Sequence, residues 1–386
     1  MKPIPYSRQD ITDEDVSAVV EALKSDFITQ GPTIGRFEEE FARRHAVGNA
    51  IAVCNATAGL HMACLALGVG PGTWVWTSPN SFLASANCAL YCGASIDFVD
   101  IDPHTRNISI AALASKLEVA KLVGKLPIVV VPVDFGGLPC DFREMRQLSD
   151  QYGFKILEDA SHATGAYYEK QPTGSNYVHA SVFSFHAVKI VTTAEGGIVT
   201  TQDQGLAQRL QLFRSHGMTR QKDRMERLPD GPWSYEQQVL GWNYRMTEVQ
   251  AALGLSQLKR LDSMRIQREA LAQQYDVMLD SLPLLRPARF PNRQSAWHLY
   301  VVEIDDTQTK ATRADVFRRM REAGVGVNVH YIPIHTQPFY SRLGFERGDF
   351  PASERYYSRA MSIPMFPALT EDEQSYVVAT LKRALS

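Results

Sequence analysis

Apolar residues in this chain come in short unbroken runs, separated by longer stretches where they recur every third or fourth position. The runs read as strands buried on both faces, the stretches as helices with one apolar side. In order, the pattern predicts strand NAIAVCN, helix AGLHMACLAL, strand WVWTS, helix FLASANCALYCGA and strand IDFVDID. A helix near Ile110–Leu122, strand PIVVVPVDFGG, a helix through Arg143–Gln151 and strand FKILEDA continue it. SVFSF, GGIVTT and helix DQGLAQRLQLFRSHG follow. Such alternation predicts an α/β fold, a mostly parallel sheet with helices on both faces.

Before this block, Thr12 caps a helix whose first turn is acidic and whose Val16, Val19, Val20 and Leu23 repeat at helical spacing. A polar turn, SDFITQG, leads to a second helix, FEEEFARRHA. After the block, MTRQKDRMERLPDGPWSYEQQ (residues 218–238) is rich in charge and turn residues and reads as a mobile loop. GWNYRMTEVQAALG and the residues after it read as one long helix or two pieces, with Leu253, Leu255, Leu258 and Leu261 marking buried faces. The domain boundary falls near its start: residues 1–255 form a large domain with an N-terminal arm, and residues 256–386 a small α+β domain. The small domain is expected to hold strand HLYVVEI, helix TRADVFRRMREAG, strand VGVNVHYIPI and a helix after MFPALTEDE.

Composition narrows the classes. A chain of 386 residues with 45% hydrophobic content can bury a large core. A net charge of −2, from 40 basic and 42 acidic residues, gives no global attraction to nucleic acid or an anionic membrane. No apolar run approaches the roughly 18 residues of a span, and MKPIPYSRQD lacks the apolar core of a signal peptide. Cys54, Cys64, Cys88, Cys92 and Cys140 form no CxxC pair and read as reduced, buried thiols, with no metal expected. The expected compartment is the cytoplasm.

The chemistry concentrates at the carboxyl ends of the predicted strands, where ligands gather on such sheets. Lys189 follows an apolar strand in SVFSFHAVKIVTTAEGG, and Asp159 closes the strand of KILEDASHATGA. A lysine among apolar neighbours and an acid from a separate strand suit pyridoxal phosphate: the amine forms a Schiff base with its aldehyde, and the acid keeps the ring nitrogen protonated. Ala56, Thr57, Ala58 and Gly59 put small residues at a helix N-terminus, which reads equally as a phosphate cradle or a plain N-cap by Asn55 or Thr57. Phe82 at a strand end fits a ring-stacking residue or simple core packing. GVGPGTWVW does not match GxGxxG and precedes a strand, so it reads as a helix-to-strand turn. From spacing alone, Tyr6 and Asp26–Thr29 are surface loop.

NATAGLH, WTSPNSF, LEDASHA, FSFHAVKIVTTAEGG, RSHGM and GWNYRMTEVQAALG, in this order and spacing, resemble the DegT/StrS-type sugar aminotransferases across nearly the whole chain. That family has the aspartate-aminotransferase fold, fold type I of the enzymes using pyridoxal 5′-phosphate, with pyridoxamine 5′-phosphate as the alternate form. WTSPNSFLASANCALYCGA, VHYIPIH and SIPMFPALTEDEQ resemble the branch in pseudaminic acid biosynthesis. That branch aminates C4 of a UDP-4-keto-6-deoxy-N-acetylhexosamine with L-glutamate as donor. The resemblance implies that Lys189 is the catalytic residue bonded to the cofactor, that Asp159 pairs with the pyridinium nitrogen, that Phe82 stacks on the ring and that His162 lies beside it. It implies phosphate binding by Thr57, Ala58, Ser184 and the partner subunit's Asn243, hence a homodimer with shared sites. Around the nucleotide-sugar it places Tyr6, Asp26, Phe27, Ile28, Thr29, Ala56, Ser184, Arg245, His330, Tyr331, Ile332 and Pro333. Trp74 departs from the pattern, where an acid is usual, and the 219–238 loop matches least.

Motifs do not choose among nucleotide-linked ketosugars. Lys189 argues against the related sugar dehydratases, which carry His at that position. The intact set of site residues argues against a regulator or scaffold that merely kept the fold, and the missing GxGxxG against a nicotinamide oxidoreductase.

Overall fold

The computed structural model describes residues 3–386. Seven strands form the central sheet: β1 (Asn49–Val53), β2 (Trp74–Thr77), β3 (Ser95–Phe98), β4 (Val129–Val131), β5 (Lys155–Asp159), β6 (Ala180–Ser184) and β7 (Gly197–Thr201). Their spatial order is β1-β7-β6-β5-β4-β2-β3. The pairings from β6 to β3 are parallel, and β7 runs antiparallel to both β1 and β6. The strands are Val- and Ile-rich and buried because helices cover both faces. Helix Ala56–Ala66 lies so close to the sheet that a Cβ on Gly59 would stand 2.9 Å from Val182 Cγ1.

A second core surrounds a three-stranded antiparallel sheet of Leu284–Leu285, Tyr300–Ile304 and Ala360–Ile363, closed by helices Leu261–Met278, Arg313–Glu322 and Glu371–Leu385. Ile4 of the N-terminal arm belongs to this core, pairing with Val325. Among the described residues, no helix is long and apolar enough to cross a membrane. The five cysteines are free; four are buried and Cys54 is half-buried.

Several expectations are corrected. Helix Asp13–Lys24 has its capping box, yet Val16, Val20 and Leu23 face outward, and the buried residues are Asp15 and Ala22. The Asp15 carboxylate sets this orientation by accepting from Gln257 at 2.6 Å and Arg260 at 2.7 Å. The second helix starts at Pro32 rather than Phe37, because proline suits the first helical position. GWNYRM is extended: the Trp242 N–H donates to Phe213 and the Tyr244 carbonyl accepts from Cys54, each at 2.8 Å. Helix Glu248–Leu258 begins only at its Thr247–Gln250 capping box and is separate from Leu261–Met278; Leu258 and Leu261 are buried, Leu253 and Leu255 half-buried. VGVNVHYIPI is not a continuous strand, since Val325 bridges the arm and Asn328 bridges Ser362 before the chain turns away. Residues 218–238 are anchored as a hairpin, with Met218–Thr219 paired to Glu236–Gln237.

Candidate active site

At the carboxyl ends of β5 and β6 lies a cleft of about 770 Å³ between the central sheet and the second core. Tyr6, Ala56, Thr57, Phe82, Asp159, His162, Ser184, Lys189, His330 and Tyr331, all expected from sequence, line it. The parallel register aligns Asp159 with Val182, so the acid and the turn carrying Lys189 emerge side by side.

Lys189 sits half-buried in the turn after β6, its N–H donating to the His186 carbonyl at 2.9 Å. Burial pushes its amine down to about 8, against a smaller upward pull from Asp159. A lysine near 8 is a competent nucleophile and proton carrier at neutral pH. Asp159 is buried and aimed by two donors: the Ser85 hydroxyl at 2.6 Å to Oδ2 and the Ser161 N–H at 3.1 Å to Oδ1.

The anion cradle is the start of helix Ala56–Ala66. Its N-cap is Asn55, whose side chain accepts the Ala58 N–H at 2.8 Å. The first intrahelical bond is Gly59 N–H to Asn55 C=O, which leaves the N–H groups of Ala56 and Thr57 outside the ladder. β7 reaches this turn only because position 197 is glycine; a Cβ there would meet Ala56 N at 2.7 Å. Ser184, paired with Gly197 across the two strands, also lines the cleft. Ala58 is buried with its N–H already engaged, so it does not line the cleft.

Phe82 is 59% exposed at the cleft mouth, which removes the core-packing reading. His162 is buried, and its imidazole is pushed well below the ordinary range by burial and then by the Lys189 charge. The Gly136 N–H donates to its Nδ1 at 3.3 Å, so the neutral ring carries its proton on Nε2, 3.1 Å from the Tyr331 hydroxyl. His330 bonds the Ser362 hydroxyl through Nδ1 at 2.7 Å, and burial brings it down to about 4.

The remaining expected residues lie elsewhere. Asp26, Phe27, Ile28 and Thr29 are exposed, as is Asn243. Thr29 bridges Thr247, and the Ile28 carbonyl accepts the Glu248 N–H at 3.1 Å, so this loop is pinned to the start of the helix that follows the Asn243–Arg245 segment. Arg245 is half-buried and has no ion-pair partner among the described residues. Neither segment lines the cleft of its own chain, nor do Ile332, which is exposed, and Pro333, which is buried.

Sequence reasoning missed Ser85 and His298. Ser85 lies one helical turn after Ser81 in SFLASANC, and that spacing was the available signal. His298 is buried in the cleft wall with its ring centroid 4.5 Å from that of His162 and its Nδ1 unpartnered. It precedes its strand instead of following it, so the strand-end rule passes it by.

Residues 9–382 match the model of the DegT/DnrJ/EryC1/StrS aminotransferase family. The chain belongs to this family. Aminotransferases of the DegT/StrS group use pyridoxal 5′-phosphate and its pyridoxamine form. The chain is 38% identical over 383 residues to the spore coat polysaccharide biosynthesis protein SpsC of Bacillus subtilis, covering 98% of this chain and 96% of that one. Among solved structures, it is similar to Helicobacter pylori PseC, an aminotransferase involved in the biosynthesis of pseudoaminic acid, with 30% identity and a TM-score of 0.90, covering 100% and 99% of the two chains. It is also similar to the PMP-form of Streptococcus pneumoniae Spr1654, a putative sugar aminotransferase, with 27% identity and a TM-score of 0.89 over 99% and 98%. The mostly parallel sheet with flanking helices is the α/β class expected from the alternation of strands and helices, and these solved structures share the aminotransferase fold implied by the family resemblance.

Proposed function

We propose that this chain is a pyridoxal-phosphate-dependent aminotransferase that moves the amino group of L-glutamate to C4 of a UDP-4-keto-6-deoxy-N-acetylhexosamine, in the cytoplasm and as a homodimer. The observation that carries the cofactor reading is that one cleft joins a lysine near pKa 8, a buried carboxylate and a helix N-terminus with two open N–H groups. The residues fit the group on chemical grounds: an amine for its aldehyde, an acid for its ring nitrogen, a phosphate cradle and an aromatic ring at the mouth.

When bound, the cofactor supplies an electron-accepting ring and the carbon that carries the amino group in transit. Lys189 Nζ takes the proton from the donor carbon and returns one at the acceptor carbon. Asp159, fixed by Ser85 and Ser161, holds a proton opposite its carboxylate. The Ala56 and Thr57 N–H groups and the Ser184 hydroxyl bind phosphate, and Phe82 orients the ring. Tyr6, His330 and Tyr331 bound the space left for the sugar. Because donor and acceptor use one site in turn, kinetics are ping-pong. The cleft itself supplies no arginine for two anionic substrates. Asn243 and Arg245, with Asp26–Thr29, serve as the contribution to a partner subunit's cleft.

The C4 ketosugar is favoured by the resemblance to PseC over the full length of both chains. A second reading, amination of another nucleotide-linked ketosugar for a surface polysaccharide, is favoured by the higher identity to SpsC. Incubation with L-glutamate and each ketosugar, followed by mass spectrometry and NMR at the aminated carbon, separates them. Amination of the UDP-4-keto-6-deoxy sugar supports the first reading, and amination of a different ketosugar alone supports the second. Failure to aminate any nucleotide ketosugar sinks both.

A further inference from the structure

On the far side of β5 from the cleft lies a pair of acids, Asp134 and Glu158. Side chains alternate along a strand, so Asp159 turns to the cleft and Glu158 away from it. Next to β5, Val133 bridges Asp159 and lines the cleft, while Asp134 turns away beside Glu158. Both acids are completely buried. Glu158 Oε2 accepts from the Ser181 hydroxyl, and Asp134 Oδ1 accepts the Cys140 N–H at 2.9 Å. The other two oxygens, Asp134 Oδ2 and Glu158 Oε1, are buried with no hydrogen-bond partner among the described residues, and the bridge of Val133 to Asp159 sets the two acids on the same face of neighbouring strand ends.

Two carboxylates accept and do not donate, and two bare charges on neighbouring strands in a dry interior are strongly unfavourable. One proton between them makes an O–H···O bond and satisfies both orphaned oxygens. We propose that Asp134 and Glu158 share a single proton and that the pair is a positioning element for the reaction, fixing Asp159 and His162 from behind the sheet. The direction of titration agrees: burial, then the neighbouring acid, pushes Asp134 well up, and burial brings Glu158 to about 7. The linkage to the site runs through the backbone. The Asp134 N–H donates to the Asp159 carbonyl at 3.2 Å, and the turn Phe135–Gly137, which begins after Asp134, aims the Gly136 N–H at His162 Nδ1. Glu158 and Asp159 are consecutive, so tying Glu158 to Asp134 ties both cofactor-facing groups to one rigid joint.

This inference rests on the cleft being a pyridoxal phosphate site, and its first test does not use the reaction. Infrared difference spectra of the unliganded protein at neutral pH should show the carbonyl stretch of a protonated carboxylic acid, lost in both Asp134→Asn and Glu158→Gln. The second test follows the half-reaction with L-glutamate alone by cofactor absorbance, whatever the sugar proves to be. Glu158→Gln keeps a donor toward Asp134 and should stay within about threefold of the parent, whereas Glu158→Ala should lower the rate about tenfold or more with KM for glutamate little changed. Should Glu158→Ala misfold by circular dichroism, Asp134→Ala against Asp134→Asn gives the same contrast. Absence of the protonated band, or alanine variants that react as fast as the parent, overturns the proposal. A parent that shows the band but no half-reaction would instead count against the cofactor reading of the cleft.

Discussion

The Ser85 hydroxyl donates to Asp159 Oδ2 at 2.6 Å, and the Ser81 hydroxyl stands 2.7 Å behind it, so a relay of one serine in helix Ala84–Tyr91 and one just before that helix aims the buried acid. A hydrogen bond to a charged group in such a place is worth about 1.5–3 kcal/mol. Ser85→Ala removes the donor and leaves a methyl of nearly the same volume. The expected result is a folded protein whose half-reaction with L-glutamate is about ten- to a hundredfold slower. An unchanged rate would show that Asp159 needs no aim from this helix.

The Lys189 amine is the group whose titration matters most. Burial lowers it from 10.5 to about 8, so the folded state releases this proton earlier than the unfolded chain. The folding penalty is complete below about pH 8, shrinks as pH rises, and is gone above the unfolded value. Lys189→Met should therefore stabilise the cofactor-free protein at pH 7, by about 3 kcal/mol, with the gap closing toward pH 10.5. Capture of pyridoxal phosphate by the cofactor-free parent should accelerate about tenfold per pH unit below 8 and level off above it. Urea melts at several pH values and stopped-flow absorbance check the two. A stability gap that widens with pH, or a capture rate flat across pH 6–8, would contradict the assigned ionisation.

Gly197 is required by space. A Cβ at this position would stand 2.7 Å from Ala56 N and 2.8 Å from Asn55 C, backbone atoms with little freedom to move. Gly197→Ala should push the cradle off the strand end, costing about 1–3 kcal/mol of stability and weakening phosphate binding. Thermal unfolding and titration with pyridoxal phosphate measure the two effects. A variant with parental melting temperature and affinity would mean that the helix start is free to shift.

Much of the site was legible because an α/β chain announces its strand ends. Thr57, Phe82, Asp159 and Lys189 sit at or just beyond predicted strands, and the fold brings those ends to one edge. His298 was not legible, because it lies at the opposite end of a strand in the second core. The segment 325–334 misled by its alternation. Gly326 admits the arm so closely that a Cβ would lie 2.8 Å from Tyr6 N, and the chain is clamped between arm and sheet edge. In the first helix the apolar stripe was plain, but a stripe does not say what covers it. The buried Asp15 decided that the opposite side packs inward.

That outward stripe motivates the next expectation. Val16, Val20 and Leu23 are 52%, 39% and 57% exposed, and Phe27 and Ile28 add 54% each just beyond the helix. Exposed apolar groups gathered this way mark an association surface. If the proposed homodimer forms through this surface, Val20→Glu combined with Leu23→Glu should convert it to a monomer in sedimentation without unfolding it, since neither side chain is in the core. A double variant that remains fully dimeric would place the interface elsewhere.

Shared sites make a sharper demand than dimerisation. Lys189 lines the cleft, while Asn243 is exposed outside it on the same chain. If the partner subunit's Asn243 completes each cleft, Lys189→Ala and Asn243→Ala chains should each be nearly inactive alone. A mixed dimer then rebuilds one site with both residues intact and leaves the other with neither. Random exchange makes half of the dimers mixed, so activity should return to about a quarter of the parent at equal total protein. Native mass spectrometry on differently tagged chains confirms the mixing independently of turnover. Confirmed mixed dimers that stay inactive would mean that each chain uses its own Asn243 or none, and the assignment of Asn243, Arg245 and Asp26–Thr29 to a neighbour's cleft would fall with it.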